Sequence, residues 1–291
     1  MNNEFHTDFG ESKFRKQWTY FNDGRMYEKE LRKQNVHKWI LSISDLHVPY
    51  QLPIDTFVEY SGKIDTLVLN GDILDCQALS KFNKVYRDSP MDEIIQARQY
   101  LIDLIDMLMP NEIYVTVGNH DVRMQAYLSK ALDSDLLELM PMTALDLIVE
   151  DGMRRYDKRS KAKIWYDPLI KVFPDIKFHF DGGWSCKVGK SWFCHPMAFS
   201  SGNLKTAERA MEYFLKSDDE PFDSLILAHT HRTGDLKKGR ITIFEQGACC
   251  RTEKMDYTDG RLTDPQQKGF ILVAQDKEGN LLYDATKRII L

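Results

Sequence analysis

The sequence predicts an α/β domain whose later part is more antiparallel. From about Val36 onward, short apolar runs alternate with segments of helical spacing, and the last stretch turns strand-rich. Five of the apolar runs end in carboxylate, imidazole or amide side chains, which gives the fold a direction as well as a class.

The elements follow in order. Residues 39–44 (Trp-Ile-Leu-Ser-Ile-Ser) read as a first strand, and residues 65–70 and 113–117 as the next two, each bounded by polar or turn residues. Before the third, Ser89-Pro90 reads as an N-cap followed by proline at the first helical position. Met91, Ile94, Ile95, Leu101, Ile102, Ile105 and Leu108 then keep helical spacing, a stripe most simply facing a core. Lys177-Phe178-His179-Phe180 is strand-like, and residues 190–194 form another strand candidate. Asn203 caps a second helix with Leu204, Ala207, Ala210, Met211 and Phe214 on one face and Pro221 beyond its end. Residues 224–228 form a further strand. Residues 270–275 and 281–285 flank Asp276-Lys277-Glu278-Gly279-Asn280, a hairpin signal.

Composition narrows the class. At 43% hydrophobic and 29% charged over 291 residues, the chain can bury a sizeable core and is not a disordered, collagenous or coiled-coil sequence. No apolar run approaches the ~18 residues of a membrane span, and the first residues lack the regions of a signal peptide. Five cysteines without a Cys-x-x-Cys pair fit a reducing compartment and small core positions, so a cytoplasmic protein is expected.

The formal charge of −5 hides an uneven distribution. Between Lys13 and Lys38 eight bases face three acids, and between Arg154 and Lys163 six bases face one; each stretch carries +5, leaving about −15 for the remainder. The first belongs to an expected arm over residues 1–35, ahead of a domain over 36–291. It interleaves Phe14, Trp18, Tyr20, Phe21 and Tyr27 with its charges, a mixture suited to nucleic acid or to packing on the core. The second reads as a solvated helix or loop that could also hold a polyanion.

The chemistry sits after the strands. The runs lead into Asp45-Leu46-His47, Gly71-Asp72-Ile73-Leu74-Asp75, Gly118-Asn119-His120-Asp121, His195 and His229-Thr230-His231. In α/β sheets ligands collect outside the carboxyl ends of strands, so these residues are candidates to converge. Carboxylates, imidazoles and one amide, with no cysteine, suit Mn, Fe or Zn in a catalytic site with open positions. Asp45-x-His47 and His229-x-His231 would each point two ligands the same way if the backbone stayed extended, and Asp72 could bridge two ions. His179 competes with His195, which is preferred because it ends its strand just before Pro196. As satisfied buried polar residues, the same side chains would need many hydrogen-bond partners.

The ordered set resembles the calcineurin-like metallophosphoesterases, across most of the chain. The resemblance implies a two-sheet β-sandwich flanked by helices, with a dinuclear metal site at the C-terminal ends of strands. It implies that one ion takes Asp45, His47, Asp72 and His231 and the other Asp72, Asn119, His195 and His229, with Mn favoured over Fe or Zn. His120 would stand at the leaving group as an imidazolium, oriented by Asp75, while metal-bound hydroxide attacks in line. Arg123 and Arg232 are candidate phosphate contacts or solvated arginines. Cys76-Gln77 and Asp121 replace residues of the Ser/Thr protein phosphatase branch, and Ala228 stands where glycine is usual. The run from His229 through Glu245 to Gly269-Phe270 looks like the compact phosphoesterases often encoded by phages. The expected function is phosphodiester hydrolysis, with nucleic acid or nucleotides favoured. A phosphomonoesterase acting on nucleotides or phosphoproteins, and a non-catalytic nucleic-acid-binding or scaffold module, are the alternatives.

Overall fold

The computed structural model describes residues 35–80, 89–157, 159–218, 220–254 and 265–291, together with Thr19. Apart from Thr19 and Asn35, the expected arm over 1–35, and with it most of the basic stretch from Lys13 to Lys38, lies outside the described residues. The strands are β1 (Lys38–Ile43), β2 (Thr66–Asn70), β3 (Glu112–Thr116), β4 (Met153–Asp157), β5 (Ala162–Tyr166), β6 (Lys177–Phe180), β7 (Ser185–Val188), β8 (Ser191–Cys194), β9 (Ser224–Leu227), β10 (Thr233–Lys238), β11 (Ile241–Gln246), β12 (Gly269–Gln275) and β13 (Lys287–Ile290). The two long helices are α1 (Pro90–Leu108) and α2 (Lys205–Ser217).

One sheet runs β13-β12-β1-β2-β3-β6 and the other β10-β11-β9-β8-β7, with β4-β5 a separate two-stranded ribbon. β1, β2, β3 and β6 run parallel in the first sheet and β11, β9 and β8 in the second; antiparallel strands close both edges of the second sheet and the β13 edge of the first, whose other edge is the parallel β6. Parallel strands buried on both faces need continuous apolar sequence, which is what Leu67-Val68-Leu69 and Leu225-Ile226-Leu227 supply.

Alternation along each strand sorts these side chains into three layers. Ile40, Val68, Ile271 and Val273 meet Phe193, Ile226 and Phe244 between the sheets. Leu41, Leu67, Leu69, Ile113 and Val115 turn outward to Ile94, Leu101, Leu104 and Leu108 of α1. Ala207, Ala210, Met211 and Phe214 of α2 cover the outer face of the second sheet, where Trp192 stacks on Phe214 with ring centroids 4.2 Å apart. The result is the helix-flanked two-sheet sandwich that the motif resemblance implies.

Four local expectations change. Ser89 occupies the cap position of α1, but its carbonyl, not its hydroxyl, receives the Asp92 and Glu93 amides. Helix α2 starts after Leu204, in a left-handed conformation (φ 59°), so Asn203 is not its cap. In the C-terminal hairpin, residues 281–285 do not form the second strand. Gln275 and Leu281 make an isolated bridge, and β13 pairs with β12 instead. Within the stretch from Arg154 to Lys163, residues 154–157 and 162–163 are strand, paired across a turn at 159–161, rather than helix or plain loop. No helix among the described residues is long and apolar enough to cross a membrane.

Candidate metal centre

At the carboxyl end of the sandwich the apolar layer between the sheets gives way to polar contacts. Ser42 Oγ donates to Gln246 Oε1 (2.8 Å), and Gln246 Nε2 donates to Ser44 Oγ (2.7 Å). Ser44 Oγ donates in turn to Asp45 Oδ2 (2.6 Å). The first ligand candidate is thus held from below by a chain of side chains that crosses both sheets.

The loops above are sharply turned. Asp45, His47, Asp72, His229 and His231 all have φ between 45° and 79°. Non-glycine residues in this region cost on the order of 1–3 kcal/mol each, and such strain concentrates at functional sites. The backbone is therefore not extended through Asp45-x-His47 or His229-x-His231, and the tertiary contacts, not strand alternation, aim the side chains. The Asp45 and His47 amides donate to the Gly71 and Asp72 carbonyls (3.1 and 3.0 Å). Asp121, fully buried, accepts the Asp72 and Gly118 amides at Oδ2 (2.8 and 2.9 Å) and the Leu74 amide at Oδ1 (3.1 Å). Two glycines are needed for space: a Cβ on Gly71 would lie 2.5 Å from His195 Nδ1, and one on Gly118 would lie 2.2 Å from Asp72 Oδ1.

Three clusters of potential ligand atoms result: Asp45, His47 and His231; Asp72, His195 and His229; and His47, Asp72 and His120. His47 Nε2 lies 3.2 Å from His231 Nε2, and His231 Nε2 lies 3.1 Å from Asp45 Oδ1. His195 Nε2 lies 3.3 Å from Asp72 Oδ2, which is 3.8 Å from His47 Nε2. Asp72 therefore faces both groups. Of the two pairs spaced two residues apart, Asp45 and His47 stay together and are joined by His231, whereas His229 joins Asp72 and His195.

The donor set fits divalent cations. His195 Nδ1 faces the Asn70 carbonyl (2.9 Å) and His231 Nδ1 faces Gln266 Oε1 (2.6 Å), so these nitrogens carry protons and each Nε2 would be the one to ligate, once an ion takes the place of a proton there. Asn119 Oδ1 is buried without a hydrogen-bond partner, as a metal ligand would be. Burial and the neighbouring His120 lower the His47 pKa to about 4, and burial with His195 lowers that of His229 to about 4, leaving both rings neutral and able to ligate at pH 7. Burial opposes charge on His195 as well, but Asp72 and Asp45 outweigh it and raise its pKa to about 10. The same carboxylates stay well below the usual range despite burial, held there by the surrounding imidazoles. Buried carboxylates that draw a proton onto His195 call for positive charge at this point.

Over residues 38–233 the sequence matches the calcineurin-like phosphoesterase family. The chain belongs to that family. Comparison with curated protein sequences finds no match. Among solved structures, this calcineurin-like phosphoesterase is similar to Vps29 of Entamoeba histolytica complexed with Zn2+, at 15% identity over 87% of this chain and 98% of that one (TM-score 0.43). It is also similar to Vps29 of Cryptosporidium parvum (15% identity, 83% and 86% covered, TM-score 0.40) and to an archaeal phosphodiesterase (16% identity, 87% and 99% covered, TM-score 0.37). The family and the histidine–aspartate clusters support divalent-metal binding and hydrolysis of phosphate esters.

The remaining residues of the phosphoesterase motifs gather at the edge of the centre. His120 Nδ1 lies 3.0 Å from both the carboxylate and the carbonyl of Asp75. Arg123 Nη1 donates to the same carbonyl (2.7 Å), and Arg123 Nη2 lies 3.0 Å from His120 Nε2. A guanidinium can only donate, so in this arrangement His120 Nε2 faces Arg123 as an acceptor while Nδ1 faces Asp75. Arg232 is buried, donates to the Ser201 carbonyl (2.8 Å) and lies over the Phe199 ring at 5.3 Å. It is not a solvated surface arginine. His179 sits on β6, stacked on Tyr114 and 3.3 Å from Glu112, outside the clusters that include His195.

Four supporting residues lie outside the sequence reading: Ser44, Gln246, Asn70 and Gln266. Ser44 precedes Asp45 and Asn70 precedes Gly71-Asp72, so adjacency to a motif was a usable signal for them. Gln246 and Gln266 lie far along the chain, and only the fold brings them in.

Proposed function

We propose that the protein is a dinuclear metal-dependent phosphodiesterase, acting on nucleic acid or nucleotides. The observation that carries this reading is the pair of clusters, Asp45, His47 and His231 beside Asp72, His195 and His229, with the Asp72 carboxylate facing both. One ion would be held by Asp45, His47, Asp72 and His231, and the other by Asp72, Asn119, His195 and His229. Manganese is the favoured metal, because mixed carboxylate, imidazole and amide donors without thiolate suit it. Bound there, divalent ions supply Lewis acidity that polarises a phosphoryl oxygen and offsets the charge of the ester.

The chain's own residues supply the rest. His120, oriented by Asp75, stands at the edge of the clusters where a leaving oxygen needs a proton. Nε2 would reach that role once Arg123 moves off it and the ring takes up a proton from solvent, and the displaced guanidinium would then be free to meet a phosphate oxygen. Arg123 and Arg232 are both turned to backbone carbonyls. Arg232 stays committed to the Ser201 carbonyl, which leaves Arg123 as the one arginine of the pair to meet phosphate and favours a singly charged diester over a monoester dianion. The cysteines are free thiols, in keeping with a cytoplasmic setting.

The test is hydrolysis of bis-p-nitrophenyl phosphate by manganese-loaded protein, compared with the p-nitrophenyl monoester. Turnover of the diester, lost in Asp72→Asn, is expected. Metal-loaded, folded protein that cleaves neither ester would sink the enzymatic reading and favour a binding module.

A further inference from the structure

The β4-β5 ribbon carries a feature that the metal centre does not use. Its pairing sets Arg154 opposite Trp165 and Tyr156 opposite Lys163. Alternation places all four side chains on one face. The other face is turned to the body: Met153 is buried, and Arg155 pairs with Asp92 in the first turn of α1. On the outer face Tyr156 and Trp165 are 56% and 55% exposed, and neither Arg154 nor Lys163 forms an ion pair with a described residue.

Trp165 is already oriented. Its Nε1 donates to Asp167 Oδ1 (2.9 Å), and its ring lies close enough to Gly152 that a Cβ there would come within 2.7 Å. The indole is thus fixed at low entropic cost with much of its surface open. Two cations flanking two exposed aromatic rings form a surface for backbone phosphates and unstacked bases together.

The body-facing side fixes where the ribbon lies. Arg98 Nε donates to the Asp167 carbonyl (2.7 Å), and Arg155 meets Asp92, so the ribbon runs along α1 toward its N-terminus. There Glu93 accepts the Cys76 amide, one residue from Asp75. We infer that the outer face of the β4-β5 ribbon binds single-stranded nucleic acid and guides it to the metal centre. This deepens the proposed phosphodiesterase function by naming its substrate class, and it rests on that reading only for what happens to the strand once bound.

Binding is read on the full chain in EDTA, where no cleavage occurs, by fluorescence anisotropy of a labelled oligo(dT) and of an abasic strand of equal length. Oligo(dT) should bind at least about tenfold more tightly than the abasic strand. Trp165→Ala and Tyr156→Ala should each remove most of that preference without altering the salt dependence, and Trp165→Phe should restore much of it. Arg154→Gln combined with Lys163→Gln should weaken both probes and reduce the slope of log affinity against log salt by about 1.4, roughly 0.7 per lost phosphate contact. Equal affinity for the two strands, or wild-type binding by these variants, overturns the inference, as does binding of anionic vesicles in place of the oligonucleotide. All ribbon variants should hydrolyse bis-p-nitrophenyl phosphate normally. Failure of the binding test with diester turnover intact rejects the ribbon alone, and loss of turnover in the unaltered protein rejects only the catalytic reading.

Discussion

Gly118 packs so closely on Asp72 that a side chain of one carbon at residue 118 would lie 2.2 Å from Asp72 Oδ1. The glycine of the Gly-Asn-His-Asp motif is a matter of room for the carboxylate that faces both clusters, and φ at Gly118 is not in the left-handed region. Gly118→Ala should therefore displace Asp72 and lower metal affinity by tenfold or more, while leaving the sheet core folded. Metal titration followed by calorimetry checks this. In parallel, the rise in melting temperature on adding manganese should shrink in the variant.

Ser44 is the last link of the chain from Gln246 to Asp45. Ser44→Ala leaves Asp45 Oδ2 without its 2.6 Å donor, and changes of this kind beneath a ligand typically cost about 10–100-fold in metal affinity. Ser44→Thr, which keeps the hydroxyl, should recover most of it in the same titration.

His120 and Arg123 should separate chemistry from metal binding. His120→Ala is expected to lower kcat for a diester by about 10²–10⁴ with metal content unchanged, as removal of a general acid–base group does. Arg123→Ala frees His120 Nε2 and removes a hydrogen bond to Asp75. It should shift the pH–rate profile, whereas a purely structural role would lower activity evenly at every pH.

Acid stability should report on Glu112, at the start of β3. Burial would raise its pKa, but Lys38, Thr66 and His179 outweigh burial and hold it below the ordinary glutamate value. The unfolded chain then binds more protons than the folded one in this range, so stability rises with pH there. The contribution is present above about pH 4.5 and is lost as pH falls through the lowered folded value. Denaturant unfolding of Glu112→Gln between pH 3 and 7 should show a shallower acid limb; an unchanged limb would place the effect elsewhere.

The sequence by itself determined β1, β2, β3, β6, β8, β9 and β12, most of them parallel and buried on both faces, which demands unbroken apolar runs that end abruptly in polar residues; β4, β5, β7, β10, β11 and β13 carry no such run and are not legible in it. Leu67-Val68-Leu69 before Asn70-Gly71-Asp72 shows this. It also marked His195 over His179, since a histidine that ends a strand before proline lies where the chain leaves the sheet. Its misses are local. Leu204 in place of Asn203 at the start of α2, and β13 in place of residues 281–285, reflect packing that overrides cap and turn preferences. How the ligand candidates divide follows from long-range packing, not from local spacing. With Asp45, His47, Asp72, His229 and His231 all at positive φ, the two-residue spacing no longer sets direction, and bonds between loops send His229 and His231 to different clusters. The packing also decided what stands beneath them: Gln246 and Gln266 reach the centre only because two sheets are packed face to face, a long-range relation that no local pattern encodes.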